Sequence, residues 1–180
     1  MTAPNVTAVI VTRGNVDLGP CLAELDADEI KIVRGHGGVW ERYEAAMTAK
    51  HPVVYTQDDD CLVDYRSVVG QYEPGLVVCN MPSWKRWQYP DGIALVGWGA
   101  IFDRDLVAGP FARYCALFEK DALFRREADR VFTGLSELKL IDVDFTPMEY
   151  ADGKDRLWAQ PDHEEKLQAI RERIALVRGR

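Results

Sequence analysis

Val53-Val54-Tyr55-Thr56 runs directly into Gln57-Asp58-Asp59-Asp60, and this junction decides how the rest of the chain is read. The first four residues are apolar or β-branched, the pattern of a short buried strand. Three adjacent carboxylates follow at its carboxyl end. They repel one another, so the cluster is costly unless a cation compensates. In parallel α/β sheets, ligands bind beyond the carboxyl ends of the strands, which is where this cluster falls. The plainer alternative is a solvated acidic turn that caps the next element.

Working back toward the start, two more strands precede this one. Val6-Thr7-Ala8-Val9-Ile10-Val11-Thr12 stops at Arg13-Gly14-Asn15, and Ile30-Lys31-Ile32-Val33 stops at Arg34-Gly35-His36-Gly37-Gly38. Leu18 to Leu25 supplies a short helix between them. Val39, Trp40, Tyr43, Ala46 and Met47 then recur at helical spacing until His51-Pro52 closes the run. The first sixty residues therefore read β-α-β-α-β, which predicts a mostly parallel, doubly wound sheet flanked by helices.

Toward the end of the chain, Leu76 to Cys79 and Ile93 to Val96 are strand candidates, and Gly97 to Phe102 extends the second of these. Phe124, Ala128, Val131 and Leu135 fall on one face of a helix. Leu140 to Phe145 alternates like a half-exposed strand. Leu167, Ile170, Ile174 and Val177 stripe a last helix, with Asp162 and Glu165 spaced as a capping box. No repeat, low-complexity tract or linker interrupts the chain, so residues 1–180 read as one domain.

Composition narrows the function classes. The chain has 180 residues, 47% hydrophobic and 28% charged, which is globular composition. With 29 acidic against 22 basic residues the net charge is −7, which removes the general attraction that coats a protein with nucleic acid or anionic membrane. Cys21, Cys61, Cys79 and Cys115 form no CxxC pair, which speaks against a zinc ribbon and a disulfide scaffold, and Cys61 reads as a small core residue. Met1 to Asn5 shows no signal peptide, and no apolar stretch is long enough to span a bilayer. A soluble cytoplasmic enzyme is the expectation, with no membrane and no obligate protein partner.

In order, these features resemble a GT-A fold glycosyltransferase, most closely a minimal form of the exostosin-like catalytic domain. The residues that carry the resemblance are the strand ending in Thr12-Arg13-Gly14, the helix bearing Arg42, and the strand running into Asp58-Asp59-Asp60 as a DxD motif. Gly97-Trp98-Gly99-Ala100-Ile101-Phe102 is similar to an acceptor-side segment, Glu127-Ala128-Asp129 to an acidic motif that opens a helix, and Gln160-Pro161-Asp162-His163 to a closing segment with a histidine. The acidic motif departs from the family pattern, because its two carboxylates are not adjacent.

The resemblance implies a hexosyl-type transfer from a nucleotide sugar, UDP-linked, to a hydroxyl acceptor, with retention of configuration and Mn2+ or Mg2+ as cofactor. It implies Asp60, His163 and Asp58 as metal ligands, and Thr12, Arg13, Gly14, Arg34, Arg42, Asp58 and Asp59 as the donor site. Asp129 and Glu127 would be the catalytic carboxylates. Trp98, Gly99 and Ala100 would face the acceptor, together with Trp84, Lys85, Arg86 and Trp87 from the Ser83 to Pro90 loop, whose interleaved aromatic and basic residues suit stacking and phosphate. The acceptor is a glycan, a protein hydroxyl or a hydroxymethylated pyrimidine in DNA.

Each assignment has a structural alternative. Arg42 reads equally as a helix-surface arginine and His163 as the second residue of a capped surface helix. Asp129 is spaced for an ion pair with Arg125, and Glu127 for one with Arg130. The tryptophans of the Ser83 loop read as a cover for the core. Two other functions compete: a nucleotidyltransferase, which would show a Gly-rich phosphate loop that Thr12-Arg13-Gly14-Asn15 lacks, and a non-catalytic domain that binds nucleotide sugar or carbohydrate.

Overall fold

The computed structural model describes residues 4–35, 38–89, 92–148 and 160–179. His36, Gly37 and Pro90 of the loops above, and Met1 to Ala3, lie outside the described residues. The chain opens with strand β1 (Val6–Thr12), helix α1 (Gly19–Ala23), β2 (Glu29–Arg34), α2 (Trp40–Met47) and β3 (Val53–Asp58). The β-α-β-α-β reading of the first sixty residues is therefore correct. A short β4 (Cys61–Val63), α3 (Tyr65–Val69) and β5 (Val77–Asn80) follow, then a 3-10 helix at Ser83–Gln88. The remainder is β6 (Ala100–Asp103), α4 (Ala108–Cys115), α5 (Ala122–Arg126), α6 (Ala128–Gly134), β7 (Leu138–Ile141), β8 (Phe145–Pro147) and α7 (His163–Arg178).

Six strands form one sheet in the order β2-β1-β3-β6-β5-β7. β1 runs parallel to both β2 and β3, and β5 runs parallel to β7. β6 is antiparallel to both of its neighbours, β3 and β5. Five strands therefore share one direction, and the carboxyl ends of β1, β2, β3 and β5 emerge at the same edge of the sheet. β4 and β8 make a separate antiparallel pair.

Alternation along the strands splits the core into two layers. Val9, Val54, Ala100 and Phe102 face a layer made with α2, α4, α5, α6 and α7. Ala8, Val53, Tyr55 and Ile101 face the opposite layer with β4 and α3, where Cys61 is buried as expected. Aromatic rings fill the helix side: Trp40 meets Phe111 edge to face at 4.9 Å, and Phe102 meets Phe132 at 4.9 Å. The stripe Leu167, Ile170, Ile174 and Val177 is buried and docks α7 onto that layer. Among the described residues no helix is long and apolar enough to cross a membrane.

Four elements differ from expectation. Ile93, Ala94 and Val96 are buried, but Ile93 to Val96 is not a strand: Ala94 satisfies its backbone through the Thr133 hydroxyl, with Ala94 N donating to Thr133 Oγ1 at 3.2 Å. The strand begins at Ala100 instead. The helix predicted through Phe124 and Leu135 breaks into α5 and α6 at Glu127, whose φ of −108° and ψ of 23° leave the helical region. Leu140 to Phe145 is divided between β7 and β8. Asp162 precedes α7 without capping it and pairs instead with Lys166 and Arg126, so no capping box forms.

Candidate donor and acceptor site

Backbone pairing assembles the site around the end of β3. Val11 pairs with Asp58 in register, and Asp59 N donates to Val11 O at 3.1 Å. Asp58 N donates to Gly97 O at 2.8 Å, and Met148 N donates to Asp60 O at 2.7 Å. The acidic triplet is thus pinned by its backbone to β1, to the Gly97 loop and to the segment after β8. Asp59 is buried, while Asp58 and Asp60 are half-buried.

The neighbouring strand ends supply the rest of the edge. Thr12 is buried, and its Oγ1 accepts from Gly14 N at 2.8 Å, which folds the Thr12-Arg13-Gly14 turn. Gly14 has φ +82°, a conformation that suits glycine. A side chain there would also lie 3.4 Å from the Arg34 guanidinium, so Arg34 rests over the turn. Arg13 and Arg34 are exposed. Thr12, Gly14, Arg34 and the aspartates therefore lie on one rim.

Arg42 is not on the surface. It is fully buried, with Nη1 donating to Asp129 Oδ2 at 2.7 Å and Nη2 to Asp58 Oδ1. Tyr43, also from α2, donates its hydroxyl to Asp129 Oδ1 at 2.8 Å. Burial works against the guanidinium charge, but Asp129 and Asp58 outweigh it and raise the Arg42 pKa. Burial lifts the Asp58 carboxyl above its usual range. Arg42 opposes that lift, and Asp129 and Asp59 add to it. One cation shared between two carboxylates leaves the group one negative charge in excess, which suits an added cation at its open side.

The acidic motif separates into two roles. Asp129 joins this triad rather than pairing with Arg125. Glu127 is held at both oxygens, by Arg126 Nε at 3.1 Å and Arg130 Nε at 2.9 Å, and is buried. Its geometry is that of an ion-pair hub joining α5 to α6.

His163 opens α7 half-buried, with Nδ1 3.0 Å from Arg126 Nη2. Arginine only donates, so Nδ1 accepts and the imidazole proton sits on Nε2. Nδ1 is thereby committed to Arg126. Among the described residues no group of three or more His, Cys, Asp or Glu side chains is arranged to hold a metal, so Asp58, Asp60 and His163 do not form a closed cage.

The acceptor-side residues also divide. Gly99 and Ala100 are buried, Ala100 inside β6 between β3 and β5, so neither presents a side chain to a ligand. Arg86 is used structurally, Nε donating to Met81 O at 3.0 Å. Trp84 and Trp87 do not cover the core: they are 61% and 76% exposed. Trp98 is half-buried, stacked on Phe145 at 4.4 Å and 6.0 Å from Trp84.

Sequence reading placed Gly97 in an acceptor-side segment without its contact to Asp58, and it missed Asn80. A side chain at Gly97 would collide with the Asp58 carboxylate. Asn80 is fully buried at the end of β5; its Nδ2 donates to Trp98 O at 2.9 Å and to Val143 O at 3.1 Å, and its Oδ1 accepts from Val143 N at 2.9 Å. A polar residue closing an otherwise apolar strand was the available signal for Asn80.

No protein-family model matches the chain, nor does any curated protein sequence. Solved structures do resemble it. Mannosyltransferase PcManGT from Pyrobaculum calidifontis, in complex with GDP-Man and Mn2+, is similar at a TM-score of 0.58 and 14% identity over 94% of this chain and 65% of that one. Glucosyl-3-phosphoglycerate synthase from Mycobacterium tuberculosis, in complex with Mg2+ and UDP, is similar at 0.51 and 9% identity over 92% of this chain and 79% of that one. At these identities the likeness concerns the fold, which is mixed α/β of the GT-A-like kind.

Proposed function

We propose that the protein is a metal-dependent glycosyltransferase that moves a hexosyl group from a nucleotide sugar, UDP-linked, to a hydroxyl acceptor, a hydroxymethylated base in DNA among the candidates. The observation that carries this reading is the rim itself. Asp58, Asp59 and Asp60 stand at the carboxyl end of β3 beside the Thr12-Arg13-Gly14 turn and Arg34. Fold neighbours whose structures hold GDP-Man with Mn2+, or UDP with Mg2+, support it at the level of architecture.

The residues fit a hard divalent cation. Asp60 offers a half-buried carboxylate next to a group carrying excess negative charge. Mg2+ and Mn2+ need only one or two protein carboxylates when substrate phosphates complete the shell, so a closed protein cage is not required. Asp60 would hold the ion, with Asp58 toward the ribose or a metal-bound water. When bound, the metal supplies Lewis-acid stabilisation of the charge that grows on the diphosphate.

The chain's own residues do the remainder. Arg34 and Arg13 offer donors to the nucleotide, Arg34 through a fork suited to phosphate. Arg42 holds Asp58 in place from within the core. In the transfer, the bond from the sugar anomeric carbon to the diphosphate oxygen breaks, a bond to the acceptor oxygen forms, and the acceptor proton leaves to the diphosphate product or solvent. Both oxygens of Asp129 already accept hydrogen bonds, which supports an orienting role for it rather than that of a free base. Retention of configuration is the expected outcome.

A thermal-shift screen of nucleotide sugars with and without Mn2+ tests the proposal, because a ligand that binds only the native state stabilises it by mass action. A metal-dependent shift with one donor, followed by release of its nucleoside diphosphate on incubation, supports the reading. A shift without any turnover or hydrolysis would favour a binding domain, and no shift with any donor would overturn the proposal.

A further inference from the structure

The Ser83–Gln88 segment is a single 3-10 helix after the carboxyl end of β5, the same edge of the sheet that carries Asp58. Residues three apart eclipse in a 3-10 helix, so Trp84 and Trp87 present their rings on one face. Both are exposed although indoles are costly to leave in water. The Lys85 ammonium lies 6.0 Å from the Trp84 ring and 5.8 Å from the Trp98 ring, and pairs with no carboxylate among the described residues. Trp98 is backed by Phe145 and fixed through its carbonyl by Asn80. It directly follows Gly97, the residue packed against the Asp58 carboxylate.

We propose that Trp84, Lys85 and Trp87, alongside Trp98, form a subsite for one nucleotide unit of a single-stranded nucleic-acid acceptor. This deepens the transferase reading and rests on it. An aromatic face accepts any base by stacking, and a cation set between the rings accepts the attached phosphate. A neutral sugar would use the ring faces but leave the Lys85 charge unanswered, which is why the nucleotide is favoured over a glycan. The acidic surroundings, including Asp142, whose Oδ2 accepts from Ser83 N at 2.9 Å, keep the contact short. Net charge −7 gives no long-range attraction. Affinity therefore depends on stacking, with a shallow salt dependence from a single phosphate contact. Asn80 acts as a positioning residue, holding the Trp98 and Phe145 segments together beside the metal-binding carboxylates.

Fluorescence anisotropy with a labelled short oligothymidylate, on the full chain, tests the subsite. A neutral oligosaccharide serves as competitor, and UDP with Mn2+ is measured by thermal shift on the same samples. Expected are binding to the oligothymidylate and a loss of about tenfold for Trp84→Ala and for Trp87→Ala. Lys85→Gln should lower the salt slope by about one. Both tryptophans are exposed, and circular dichroism confirms that the variants stay folded. Absence of binding, equal binding by the double tryptophan variant, or tryptophan-dependent capture of the oligosaccharide instead would each overturn the inference. If the UDP and Mn2+ shift persists in those cases, the donor reading stands and only the acceptor class is wrong. If that shift is missing too, the transferase reading fails with it.

Discussion

Arg42 Nη1 donates to Asp129 Oδ2 at 2.7 Å although the two residues stand 87 positions apart in the chain. The same guanidinium reaches Asp58, so one buried side chain of α2 ties the end of β3 to the start of α6. The buried guanidinium is a rigid joint, since removing it leaves two carboxylates facing one another without compensation. The rim at the end of β3 and the acidic motif are held in one geometry by that joint.

Arg42→Met should therefore destabilise the protein by about 3–5 kcal/mol, the range seen when one partner of a buried pair is lost. Arg42→Lys should recover only part, because a single ammonium cannot span Asp58 and Asp129 as the planar fork does. Urea denaturation of the three proteins measures this. A loss below about 1 kcal/mol for Arg42→Met, the range typical of exposed pairs, would mean that the triad is solvated and not a structural joint.

Asp60→Ala should act in the opposite manner, leaving the fold intact and removing metal-dependent donor binding. It relieves repulsion within the acidic triplet, while its backbone carbonyl still accepts from Met148 N. In the parent, a donor at a hundred times its Kd adds about 2.7 kcal/mol of stability. The variant should show an unchanged melting temperature without ligand and none of the Mn2+-dependent shift. A retained shift with UDP and Mn2+ would move the metal site away from Asp60.

The strands that place the site were legible because each is a β-branched run: Val6–Thr12 and Val53–Thr56 are buried on both faces, while the run around Ile32 is the sheet's edge strand and leaves Ile30 and Ile32 exposed. Their order alone implies the parallel pairing that brings Thr12, Arg34 and Asp58 to one edge. Ile93–Val96 misled because buried loops and buried strands have the same apolar composition, and only the partner, here Thr133, tells them apart. Arg42 was ambiguous because a lone arginine on an amphipathic helix looks solvated until its carboxylates are known, and those come from β3 and α6. Glu127 and Asp129 look alike in sequence. The break between α5 and α6 turns one toward Arg126 and Arg130 and the other toward Arg42.

His163 predicts an acid-sensitive stability. Burial depresses its pKa, Arg126 and Arg130 add to that, and Glu127 and Glu164 oppose it. The folded imidazole therefore binds a proton less readily than the unfolded one, whose ordinary value is about 6.5. Its stability contribution is complete above about 6.5 and is lost as pH falls through the folded value, because protons then favour the unfolded state. His163→Asn, whose amide oxygen can accept from Arg126 without titrating, should flatten this part of the curve. Melting temperatures measured from about pH 7 to about pH 5 decide it. Parallel curves for parent and variant would show that the histidine is solvated.

Two glycines make an internal comparison. Gly97 has no room for a side chain, since a Cβ there would strike the Asp58 carboxylate, while Gly109 in α4 has nothing within 4 Å of that position. Gly97→Ala must therefore displace Asp58 or the loop that leads to Trp98. It should cost about 1–3 kcal/mol, as overpacking does. Because Asp58 is also held by Arg42, the displacement should reach the donor rim and weaken the UDP and Mn2+ thermal shift. Gly109→Ala should do the reverse, stabilising by about 0.4–1 kcal/mol through a less flexible unfolded chain and leaving the donor shift untouched. Denaturation and thermal shift on both variants separate the two effects. A Gly97→Ala protein with parental stability and parental donor shift would show that the contact between Gly97 and the Asp58 carboxylate is slack.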